Sequence, residues 1–290
     1  SNIRKTWLYL TGFFILVIGL GWFISYLLQT QLILWMAVVL AILMNFFAYW
    51  HSDKIVLAMT RAKEIKKEDN PELYRLVENL CITAGLPRPK IYIIDEAQPN
   101  AFATGRNPEN GVVAVTRGLL ERLEKTELEG VLAHELAHIG NRDILLSTVV
   151  VVLVGVVVII TDFFFRLAFW GRTGDRERRE GQSYLILFAL VLAILAPLSA
   201  NLMKLAISRK REFLADASGA LLTRYPEGLA RALEKISQSP QPLKVANDAT
   251  AHLFIINPFR GKEKTSWLHR LFMTHPPVEE RIKALRGMEI

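Results

Sequence analysis

Residues 134–138 read His134-Glu135-Leu136-Ala137-His138. On a helix four residues advance about 400° and about 6 Å, so the two imidazoles leave the same face one turn apart. Both rings can then reach one ion at roughly 2.0 to 2.1 Å. Glu135 stands about 100° round the helix, outside that coordination but within reach of a water on the ion. The pattern divides labour between two ligands for a divalent metal and one base. A match arises by chance in about one such chain in a hundred. The helix that would carry it has its own start signal in Thr126-Glu127-Leu128-Glu129, with capping-box spacing and an acidic first turn, and is predicted to run to about Arg142.

A hydrolytic zinc takes three protein ligands and keeps a corner open, whereas a structural one is closed by four. The position six residues after His138, where a third His would stand in the elongated form of the motif, is Ile144. Another segment must supply the ligand. Glu212 and Asp216, four residues apart, place two carboxylates on one helical face. Glu212 could ligate while Asp216 hydrogen-bonds a ligand imidazole and fixes its tautomer. Alone, this segment reads as an ordinary charged helix with Glu212 paired to Arg209 or Lys210; beside the His pair the ligand reading is preferred. His252, His269 and His275 are rival third ligands. The single Cys81 rules out an internal disulfide and a cysteine metal pair, which suits a reducing compartment.

The elements that position these groups are legible around them. A helix starts at Asn70-Pro71-Glu72, carries Leu73, Leu76, Val77 and Leu80 at helical spacing, and is stopped by Gly85-Leu86-Pro87. Lys90 to Ile94 reads as a strand. Asn100 to Thr104 and Val112 to Val115 flank a turn-rich loop and are expected to form a hairpin. Along Asn100, Ala101, Phe102 and Ala103 an extended peptide could pair with free backbone groups, which tolerates many sequences because main chain supplies much of the affinity. A plain sheet edge protected by Pro99 and the loop beyond Gly105 is the competing reading. A final helix follows Pro277, with Val278, Ile282 and Leu285 along one face.

Hydrophobic residues make up 51% of the 290 positions, above the roughly 45 to 50% of soluble domains. The excess lies in blocks. Trp7 to Leu28 and Leu32 to Trp50 contain no charge, and each can span about 30 Å of hydrocarbon as a helix. Only Gln29-Thr30-Gln31 separates them, which makes a hairpin rather than a cleaved leader. Ile144 to Trp170 and Ser183 to Ile207 are two further candidate membrane helices. Arg4, Lys5, Lys54, Arg61, Lys63, Arg142, Lys204 and Arg209 to Arg211 then share one side, predicted to be the cytoplasm. The basic connection containing Arg172, Arg176, Arg178 and Arg179 would fall on the other, so the third and fourth helices could dip in without crossing. The net charge of +7 fits juxtamembrane contact with anionic lipid. No basic patch interleaved with aromatics points to nucleic acid.

The helix hairpin, His134-Glu135-Leu136-Ala137-His138, Arg211-Glu212-x-x-Ala215-Asp216 and Thr274-His275-Pro276-Pro277 occur in this order over nearly the whole chain, which resembles the HtpX-like membrane zinc proteases, relatives of the CAAX prenyl proteases. The resemblance implies an α+β, mostly α fold in which integral membrane helices carry a zincin-like metalloprotease domain with a small sheet. It implies one Zn2+ per chain on His134, His138 and Glu212, Asp216 behind a ligand, and Glu135 as general base. It also implies that the strand at Asn100–Gly105 receives the substrate and that His275 faces the site, where it could donate to the oxyanion; a structural His capping a turn is the alternative. The expected organisation is a hairpin over 1–50, protease halves at 51–143 and 208–290, and a second hydrophobic hairpin at 144–207. The expected role is hydrolysis of misfolded or damaged membrane proteins in envelope-stress quality control, at the inner membrane, multi-pass, with the site facing the cytoplasm. Two rivals are a prenyl-protein protease and a membrane scaffold or chaperone with a structural zinc.

Overall fold

The computed structural model describes residues 2–27, 29–155, 157, 209–239, 242–246, 250–258 and 276–288. Helices α1 (Asn2–Leu27) and α2 (Leu32–Trp50) form the expected hairpin. A Cβ built on Gly21 would lie 2.1 Å from the Cβ of Ala37, so the two backbones approach more closely than any larger residue there would allow. Their outward faces carry exposed Leu8, Ile15, Trp35, Met36 and Phe46; such a surface is stable against lipid tails rather than water. Trp7 meets Tyr49 at 5.4 Å, and Trp22 meets Tyr26 at 6.2 Å. Along α1 these aromatic levels are separated by about 22 to 28 Å of helix rise, near the thickness of a hydrocarbon core. Ile3–Tyr26 and Leu32–Trp50 are long and apolar enough to cross a membrane.

After α3 (Ser52–Met59) the chain builds a four-stranded mixed sheet from β1 (Lys63–Glu64), β2 (Lys90–Ile94), β3 (Ala101–Gly105) and β4 (Gly111–Thr116), in the order β1-β2-β4-β3. β2 and β4 run parallel and β3 and β4 antiparallel, with Phe102 opposite Ala114. The hairpin expected from the Asn-Pro and Asn-Gly turn is present, and among the described residues β3 has a strand partner on one side only. Side chains alternate across the sheet. Phe102, Val112 and Ala114 enter a core shared with α1, α2 and α3, whereas Ala101, Ala103, Val113 and Val115 enter a second core under α4 (Pro71–Ala84). Asn70 caps α4 by accepting from the Leu73 N–H at 3.0 Å, and Gly85 ends it at φ +64°.

The short α5 (Arg117–Arg122) leads to α6 (Lys125–Gly140), which bears the His pair. Its cap is Glu124 rather than Thr126, because the Glu124 N–H donates to Glu127 Oε2 at 2.8 Å and closes a capping box two residues earlier than the Thr-based pattern suggested. Lys235 Nζ then bridges Glu127 and Glu124 at 2.7 and 3.2 Å. α6 stops at Gly140, and Arg142 adopts φ +56°. The chain turns through 85° into α7 (Ile144–Gly155). Val149 to Val154 of α7 join Leu10, Phe13 and Val17 of α1 in one core. Of the two later hydrophobic blocks, residues 158–208 lie outside the described set, as do His269 and His275.

Helices α8 (Arg209–Thr223), α9 (Pro226–Ser237) and α10 (Val278–Arg286) complete the second core. Two glycine contacts set how closely they approach α6. A Cβ on Gly219 of α8 would fall 2.9 Å from His134 N, and one on Gly130 of α6 would fall 2.7 Å from Leu229 N of α9. The crossing at Gly219 decides what α8 presents one and two turns earlier, namely Asp216 and Glu212.

Candidate metal centre

His134 and His138 project from one face of α6 toward the side chain of Glu212 on α8. Ring nitrogens and carboxylate oxygen of these three residues lie within 4.8 Å of one another. The Nε2 atoms of the two imidazoles are 3.2 Å apart, His138 Nε2 is 3.6 Å from Glu212 Oε1, and His134 Nε2 is 3.9 Å from Glu212 Oε2. Three ligands at roughly 2.0 to 2.1 Å from a tetrahedral ion would be about 3.3 to 3.4 Å apart. Two imidazoles and a carboxylate are also the donor set a catalytic zinc prefers over harder cations. The residues therefore fit such an ion.

Each imidazole is held from behind. His134 Nδ1 lies 2.9 Å from Asp216 Oδ1, and His138 Nδ1 lies 3.2 Å from Asp143 Oδ2. A carboxylate on Nδ1 leaves Nε2 as the metal-facing nitrogen and raises its basicity. Asp216 is the carboxylate that the sequence proposes for such a contact. Asp143 did not stand out from the sequence, although an acid just past a Gly-Asn turn and before an apolar run is a signal that could have been read. Arg281 is the second unexpected member: 1% exposed, it donates from Nε and Nη2 to Asp216 at 2.8 and 2.7 Å. Its register gave a clue, since Val278, Arg281 and Leu285 lie on one stripe.

The electrostatics favour a bound cation. Burial would lower the His138 imidazole, but the Asp143 hydrogen bond and the Glu212 and Glu135 charges outweigh it and raise it to about 9. Burial lowers His134, against the pull of Asp216. Burial alone would raise Asp216; the charge and hydrogen bonds of Arg281, with the His134 contact, bring it down to about 2. Burial pushes the Glu135 carboxyl up to about 7, with Glu212 adding to the shift and His138, Arg281 and an Ala103 backbone hydrogen bond opposing it. Glu135 is 1% exposed. A buried carboxyl of raised proton affinity, beside a metal position, is suited to taking and returning a proton.

The site opens into a small cleft whose walls include Ala103 of β3, Glu135, Ile144 and Ser147 of α7, and His252. His252, one of the rival ligands, lies within 3.3 Å of the Ser147 carbonyl and is not part of the three-residue group. Of the expected edge strand, Asn100 precedes β3, its amide donating to Ile256 O at 3.0 Å. The Ala101 carbonyl accepts from Ile255 N–H at 3.0 Å. Backbone groups in a strand alternate in direction, so Ala103 faces outward like Ala101, on the side of the cleft.

The family described as Peptidase family M48 matches residues 67–289. A Protease HtpX homolog of Dictyoglomus thermophilum is 47% identical over 99% of this chain and 93% of that protein. Another, from Thermoanaerobacter pseudethanolicus, is 44% identical over 99% and 96%, and one from Pyrococcus furiosus is 48% identical over 96% and 92%. The crystal structure of S. mikatae Ste24p aligns with a TM-score of 0.49 at 20% identity, over 95% of this chain and 62% of that one.

Proposed function

Because this chain belongs to peptidase family M48 and is a membrane metalloprotease, we propose that it is a zinc endopeptidase with the ion on His134, His138 and Glu212, one per chain. The observation that carries this reading is the set of ligand spacings, 3.2, 3.6 and 3.9 Å, close to the edges of a tetrahedron. When bound, zinc would lower the pKa of a water toward about 7 and polarise the scissile carbonyl. Glu135 accepts the proton of the attacking water and returns it to the leaving amine nitrogen. Asp216 and Asp143 keep the two imidazoles in one tautomer. Backbone groups of β3 from Ala103 onward receive an extended substrate chain, and His275 serves as an oxyanion donor.

The substrates we propose are misfolded or damaged membrane proteins in envelope-stress quality control, at the inner membrane with several crossings and the site on the cytoplasmic side. The anchor is residues 1–50, the protease halves are 51–143 and 208–290, and 144–207 is a second apolar hairpin. Recognition through main-chain groups supports a broad substrate range, and Arg4, Lys5, Lys54 and Arg61 at one end of the hairpin support the orientation. Among the described residues the metal group has three members, which favours a hydrolytic over a four-ligand structural zinc.

The test is Glu135→Gln in the detergent-purified full chain, assayed with zinc and an unfolded membrane protein. Zinc should still bind stoichiometrically while hydrolysis falls by about 10²- to 10⁴-fold. Full activity in the metal-replete variant refutes the assignment of Glu135.

A further inference from the structure

Arg281 makes one contact more than a counter-ion for Asp216 requires. Besides the two bonds to that carboxylate, Nη1 donates to the Ile255 carbonyl at 2.8 Å and lies 3.9 Å from Glu212 Oε2. The N–H of the same Ile255 donates to Ala101 O on β3, and Ile256 O accepts from the Asn100 side chain at 3.0 Å. A single buried guanidinium therefore holds the carboxylate behind His134 and the segment that covers the first residue of the edge strand. Replacing a buried ion pair by apolar residues of similar volume is often neutral or stabilising, so stability alone does not account for it. A planar fork with several fixed donors can serve two acceptors in different directions, which an ammonium on a flexible stem cannot do with the same geometry.

We propose that Arg281 is a positioning residue that couples metal binding to the register of the substrate strand. The relay runs from the ion position through His134, Asp216 and Arg281 to Ile255 and β3. With the Ala101 carbonyl already taken, the β3 residue on the wall of the cleft is Ala103, beside Glu135, and Arg281 keeps it there. Coupling of this kind is reciprocal: loading the metal tightens the strand cover, and loosening the cover weakens the metal. The inference rests on the zinc reading above.

Hydrogen exchange of the Ile255 amide in the full-length detergent-solubilised protein tests it, with and without zinc, alongside zinc affinity from competition with a chromophoric chelator. In the wild type, zinc should slow exchange at Ile255 by about fivefold or more. In Arg281→Lys, which keeps the charge, zinc affinity should fall by about 10- to 100-fold and the zinc effect on exchange should vanish. At saturating zinc, KM for a peptide substrate should rise more than kcat falls. Wild-type exchange that zinc leaves unchanged overturns the proposal without recourse to any variant. So does a Lys variant that matches the wild type in affinity and exchange, because the residue is then only a counter-ion. A wild type that binds no zinc would instead sink the underlying zinc reading.

Discussion

The approach of α8 to α6 at Gly219 sets the geometry of the metal centre, and adding one methyl group there should loosen it. In Gly219→Ala the new Cβ would sit 2.9 Å from His134 N and 3.1 Å from His134 Cα. Nonbonded heavy atoms prefer roughly 3.5 to 4.0 Å, so the helices must part by about 0.6 Å or more. Metal–ligand distances tolerate only about ±0.2 Å. Overpacking of this kind costs about 1 to 3 kcal/mol, while exchanging Gly for Ala within a helix returns up to about 1 kcal/mol. In the metal-free protein the helices can relax apart and the two effects nearly cancel. Zinc requires the original spacing, so the strain is paid on binding, and the dissociation constant should rise about 5- to 150-fold. Chelator competition measures that rise, and thermal melts of the metal-free protein measure the small change in stability. Gly12→Ala is the control, since a Cβ there meets nothing within 4 Å. A Gly219→Ala protein binding zinc within twofold of the wild type would show that the helix crossing does not determine the ligand spacing.

Two further outcomes follow from the carboxylates behind the imidazoles. Asp143→Ala should reduce zinc affinity by about 10- to 100-fold, read by the same competition assay; unchanged affinity would mean that the 3.2 Å contact with His138 is incidental. Asp216 is depressed from 3.8 to about 2 in the folded state. Its contribution of about 2 kcal/mol is therefore fully present above pH 3.8 and is lost as pH falls through about 2. Denaturation of the metal-free protein across that interval should show the loss, and Asp216→Asn should lack it; equal slopes would contradict the assignment.

Much of the architecture follows from local patterning. The hairpin strands β3 and β4 are announced by Asn107-Pro108 and Asn110-Gly111, and α4 by Asn70-Pro71 and a leucine stripe. The spacing of His134 and His138 defines two of three convergent groups because a helix makes it local. Glu212 is preferred over His252 from the sequence, but its distance from the His pair is not legible there, since the crossing of α8 and α6 depends on Gly219, which has no side chain to mark it. Arg281 and Asp216 are separated by 65 positions, and an Arg in a charged helix ordinarily reads as solvated. The cap at Glu124 was displaced by two residues because Thr126-Glu127-Leu128-Glu129 mimics the motif without making its bonds.

The sharp turn between α6 and α7 has a mechanical consequence. Asp143 faces His138 with its carboxylate and immediately precedes the helix that packs against α1. The candidate metal centre is thus joined to the N-terminal hairpin through a helix packed on α1, not hung on a tether.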